Sequence, residues 1–91
     1  MEKITYSLTI KYRDIVTDLY VSLTKDNHFA TINDHLYVRY YPDLNIVKFF
    51  TVYIDKEIYE TEACIKEDNL SNDSFNFLTT IDNILYNIKR L

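Results

Sequence analysis

From Lys3 to Tyr12 polar and apolar side chains alternate without a break. Ile4, Tyr6, Leu8, Ile10 and Tyr12 share one face, and Lys3, Thr5, Ser7, Thr9 and Lys11 share the other. A period of two marks a strand with one wet side, the pattern of an antiparallel sheet. Residues 15–23 fit two patterns. As a helix capped by Asp14, they would gather Ile15, Val16, Leu19, Tyr20 and Leu23 into a stripe. As a strand, they turn Ile15, Leu19, Val21 and Leu23 inward with Thr17. The β-branched content favours the strand, with Arg13-Asp14 as the hairpin turn.

Residues 29–32 and 36–41 read as short strands joined at Asn33-Asp34, and Pro42-Asp43-Leu44-Asn45 reads as a turn. The segment 46–54 is apolar on both sides. Val47, Phe49 and Tyr53 line one face with Thr51, and Ile46, Phe50, Val52 and Ile54 line the other, interrupted by Lys48. Such a strand sits centrally or under a partner. Residues 58–65 form the next strand, with Tyr59, Ala63 and Ile65 turned in and Glu60 and Glu62 turned out.

After a polar breaker at 69–74, apolar residues fall at 77, 78, 81, 84, 85, 88 and 91. That spacing predicts an amphipathic helix over about 75–90, with Lys89 and Arg90 at its negative end. Its length, about 24 Å, matches the width of five strands at about 4.8 Å. The pattern therefore predicts one domain over 1–91 of the α+β class: an antiparallel meander of five to six strands with one C-terminal helix across one face. A β-α-β-β-β-α order follows if 15–23 is helical.

Composition narrows the chemistry. The chain has 91 residues and no glycine, which excludes P-loops, GxGxxG turns and GxSxG elbows. Positive-φ positions must then fall mainly to Asn and Asp. Phe, Tyr, Met, Ile, Asn and Lys supply 41 residues, whereas Gly, Ala, Arg and Pro supply 6. The first set has AT-rich codons, which suggests an AT-rich genome: a low-GC bacterium, its phages or plasmids, or an AT-rich virus. One cysteine leaves no internal disulfide and fits a reducing cytosol. No apolar run is long enough to span a membrane, and the alternating N-terminus is no secretory signal.

Charge concentrates at residues 53–68, YIDKEIYETEACIKED. Asp55, Glu57, Glu60, Glu62, Glu67 and Asp68 are opposed only by Lys56 and Lys66, so this stretch alone carries a charge of −4, equal to that of the whole chain. On a strand, Glu60 and Glu62 stand about 6.7 Å apart. Such a row resembles a phosphate row and suits a basic groove, although outward Glu on an edge strand also blocks aggregation. Tyr37, Tyr41, Phe49 and Tyr53 are expected on the sheet face opposite the helix, as an aromatic interface patch.

Catalytic readings are weak. Same-strand Glu60 and Glu62 lack the cleft of a glycosidase pair. Acidic neighbours disfavour a Cys64 thiolate. His28 and His35, which could meet across the short hairpin, form no recognisable zinc set with Cys64. Direct nucleic-acid binding is disfavoured by a net charge of −4. The expectation is a small acidic cytoplasmic protein that is not an enzyme and needs no cofactor or metal. It would bind a protein partner, in its concrete form a basic nucleic-acid groove of a host protein, as an anti-CRISPR-like inhibitor does. The competing reading is a homo-oligomeric structural or regulatory domain, for instance a homodimer, whose aromatic face is covered by its own copy.

Overall fold

A computed structural model describes residues 3–54, 60–72 and 74–91. Eight strands follow one another: β1 (Ile4–Tyr12), β2 (Ile15–Leu23), β3 (Phe29–Thr31), β4 (Leu36–Tyr41), β5 (Ile46–Ile54), β6 (Glu60–Asn69), β7 (Asn76–Ile81) and β8 (Ile84–Arg90). They form two four-stranded antiparallel sheets, ordered β2-β1-β8-β7 and β3-β4-β5-β6. Each strand therefore follows its sequence neighbour around the molecule, and β8 returns to lie beside β1. The arrangement is an up-and-down meander flattened into a filled sandwich of 40 × 33 × 20 Å.

The fold is all-β, not α+β. No helix occurs among the described residues, and the segment predicted as the C-terminal helix is the β7–β8 hairpin. Its apolar spacing fits two alternating strands of opposite phase as well as it fits one helix. Phe77 and Ile81 face in from β7, and Ile84, Tyr86 and Ile88 face in from β8. Leu78 and Leu91, which the helical stripe would bury, are exposed, whereas Tyr86 is fully buried. Between the strands Asp82 and Asn83 take φ of 51° and 66°. This is the two-residue loop whose twist matches a hairpin. A helix laid on the sheet would also leave one edge of β1 without backbone partners. β8 supplies them from Tyr6↔Arg90 to Lys11↔Leu85.

The first five strands follow the alternation, and 15–23 is a strand, although Ile15, expected to face in, is exposed at the end of its hairpin. Asn45, Asp82 and Asn83 carry positive φ as expected without glycine, but Arg13 does too, at 57°. Asn33 closes the β3–β4 turn by accepting the backbone N–H groups of His35 and Leu36 at 2.8 and 2.9 Å, while its amide donates to Tyr86 Oη at 2.5 Å. One side chain thus shapes a turn in one sheet and pins it to the other.

The inner faces cover each other. Phe49 and Phe75 stack at 5.6 Å, and the Tyr6 ring meets both edge-on at 5.1 and 5.9 Å. These three rings sit among Leu8, Leu23, Leu36, Val38, Val47 and Ile88. Edge-to-face and offset pairs of this kind add to the gain from buried area.

Candidate protein-binding edge

β6 is an edge strand, bonded to β5 on one side only. Opposite Phe49 it carries an irregularity: Phe49 pairs with Lys66 but Phe50 pairs with Cys64, which leaves Ile65 as an extra residue. A bulge reverses the side on which every later residue falls. Before it, Glu60, Glu62 and Cys64 point away from the core. After it, Glu67 faces out opposite Lys48, and Asp68 turns in opposite Val47.

Asp68 therefore leaves the acidic surface on which its sequence position places it. It is 2% exposed and accepts the Tyr6 hydroxyl at 2.5 Å and Arg90 Nη1 at 2.9 and 3.0 Å. Arg90 also donates to the Asn72 carbonyl. β1, β6 and β8 are thus tied across the two sheets by one carboxylate with a charged and a neutral donor. Burial, followed by the Asp68 hydrogen bond and charge, pushes the Tyr6 phenol far above its usual range. It donates its proton throughout the physiological range. No sequence motif marks this trio, which joins residues 6, 68 and 90 through a register shift.

The remaining acidic residues divide. Asp55 and Glu57 lie outside the described residues. Glu67 is balanced by Lys48 Nζ at 3.8 Å. Glu60 and Glu62 are exposed and pair with Ile54 and Val52, and neither makes an ion pair among the described residues.

The four aromatics expected to share one face do not. Phe49 is fully buried between the sheets, and Tyr53 is 55% exposed at the far end of β5. The register instead sets Tyr37 against Phe50 and Tyr41 against Ile46 on the outer side. Tyr37 and Phe50 stack at 5.0 Å, Phe29 leans on Tyr37 at 5.2 Å, and Arg39 lies over Phe29 at 5.3 Å. Lys48 lies over Tyr41 at 5.4 Å. The outer side of the second sheet is therefore an aromatic row, Phe29–Tyr37–Phe50, which the sequence reading missed because it lacked the β4–β5 register.

A groove of about 320 Å³ runs along this row, lined by Phe29, Tyr37, Arg39, Val52, Glu60 and Glu62 among others. Burial, then the Glu62 carboxylate, pushes the Tyr37 phenol far above its usual range, and Tyr37 Oη has no hydrogen-bond partner among the described residues. Aromatic surface, one guanidinium and two carboxylates without an ion pair among the described residues thus meet along an edge strand. Comparison with protein-family models, curated proteins and solved structures gives no match.

The histidines line separate grooves. His35 Nδ1 lies 3.0 Å from Asp82 Oδ2 beside Tyr53, and His28 stands with Lys25, Arg39 and Tyr41. Cys64 is an exposed free thiol opposite Phe50. No group of three or more His, Cys, Asp or Glu able to hold a metal occurs among the described residues. Nor is any helix there long and apolar enough to cross a membrane.

Proposed function

We propose that this chain is a small non-enzymatic binding protein that meets a basic protein surface along β6 and the adjoining aromatic row. The observation that carries the reading is the position of Glu60 and Glu62. Both are exposed on an edge strand, make no ion pair among the described residues, and border the Tyr37–Phe50 stack. Carboxylates on an edge repel an identical edge and accept one bearing Lys or Arg, so they choose a partner as well as attract one. The apolar row supplies the desolvated contact that charge alone lacks.

The narrowest form of the proposal is an inhibitor, encoded by a phage or mobile element, that fills a nucleic-acid groove of a host protein. It is supported by the acidity and the codon bias. In that form, nucleic acid and this protein compete for one site on the partner.

Affinity capture from host lysate supplies the partner, and titration supplies the test. Glu60→Gln with Glu62→Gln is expected to weaken the complex roughly tenfold, about 1.4 kcal/mol. The wild-type complex should also weaken as salt rises from about 0.1 to about 0.5 M. A complex indifferent to both changes would exclude the acidic edge as the contact.

A further inference from the structure

The four edge strands are not equally protected. β6 bears Glu60, Glu62, Lys66 and Glu67 and a bulge, β3 has three residues, and β7 has six, with Lys66 reaching over its Phe77 at 6.0 Å. β2 is nine residues long, with no proline, no bulge and no lysine. Its outer half is apolar and uncovered: Ile15 is 66%, Val16 58% and Tyr20 71% exposed. The one charge within the strand, Asp18, is drawn back over the sheet by a hydrogen bond from Thr9 Oγ1 at 2.8 Å. A long edge with exposed apolar side chains and no bulge is a template for another strand.

The hairpin fixes which backbone groups are free. A two-residue loop at Arg13-Asp14 makes Tyr12↔Ile15 a hydrogen-bonded pair, so every second residue from Ile15 bonds β1. Val16, Asp18 and Tyr20 therefore point their N–H and C=O groups outward. None of the three takes part in a backbone bond outside the ladders among the described residues.

We infer that β2 pairs antiparallel with β2 of a second copy, about a two-fold axis at Thr17, to make one continuous eight-stranded sheet. In this register Val16 bonds the partner's Asp18 and Asp18 bonds the partner's Val16. Ile15 lies opposite the partner's Leu19, twice over, which covers the exposed isoleucines with apolar surface. An axis at Asp18 would set two carboxylates face to face, which opposes that register. A two-fold contact consumes the β2 edge and closes, whereas pairing of β2 with β7 of another copy would run head to tail and keep growing. The β6 edges remain free in the pair, so the inference stands independently of the function proposed above.

Two variants test it. With Cys64→Ser as background, Thr17→Cys places two thiols at a non-hydrogen-bonded pair, Cα to Cα about 4.5 Å, within disulfide reach. Mild oxidation is expected to give a covalent dimer, and Leu78→Cys on the opposite edge in the same background is not. Val16→Pro removes an N–H that faces away from β1, a place where an edge strand tolerates proline. Sedimentation at roughly 100 µM should show a dimer for the wild type and half that mass for Val16→Pro, with the far-ultraviolet β signature kept in both. A monomeric wild type, a species that grows without limit, or equal cross-linking at 17 and 78 would each overturn the pairing.

Discussion

Asp68→Ala is expected to lower the unfolding free energy by about 3–5 kcal/mol, measured by urea denaturation, because it strands a charge in the interior. The Arg90 guanidinium is held at 2.9 Å by a carboxylate that is itself 2% exposed, and Tyr6 Oη loses its acceptor in the same step. A domain holds only about 5–15 kcal/mol in all, so this one change approaches the limit of folding. Removing both charges should be milder than removing one: Asp68→Ala with Arg90→Met is expected to recover part of the loss, since no unpaired guanidinium remains. A loss below about 1 kcal/mol for Asp68→Ala would mean that Arg90 reaches water and that the trio is a surface pair.

Phe49→Ala is expected to cost about 3–5 kcal/mol in the same assay, whereas Tyr53→Ala should stay within about 0.5 kcal/mol. The two residues lie on the same alternation face of β5, four positions apart, and differ only in where that strand passes under the other sheet. Phe49 touches Tyr6 and Phe75, while Tyr53 stands beside the His35 groove. Equal small losses would return Phe49 to an exposed face and support the aromatic interface that its sequence position suggests.

Which parts were legible in the sequence follows from which interactions are local. Alternation at 3–12 and 46–54, the Arg13-Asp14 turn and the Pro42–Asn45 turn depend on near neighbours, and the chain obeys them. The second half of the 76–90 segment depends on β1, which pairs with it from 74 to 84 positions away. Thr79 and Tyr86, inner residues of the hairpin, fall on the wet side of the helical reading. The β-branched pairs Thr79-Thr80 and Ile81/Ile84, around Asp82-Asn83, are the local signal that favoured strands.

At the site, the outward Glu60 and Glu62 are given by alternation alone. Asp68 is not, because the bulge at Ile65 reverses its side. Tyr37 and Phe50 are not, because their pairing depends on the β4–β5 register. The aromatic row thus contains two residues, Phe29 and Phe50, that no local pattern distinguishes from core.

The β1–β8 pairing governs the rest of the account. It carries Arg90 to Asp68 and brings Tyr6, Leu8, Tyr86 and Ile88 into the core. Its direct test is nuclear Overhauser spectroscopy of the labelled protein. Turns of two residues at Arg13-Asp14 and Asp82-Asn83 make Leu8↔Ile88 and Ile10↔Tyr86 non-hydrogen-bonded pairs. Strong Hα–Hα contacts are therefore predicted for Leu8–Ile88 and Ile10–Tyr86. Their absence, with Hα-to-amide contacts three residues apart along 76–90, would show a helix and contradict the two-sheet fold.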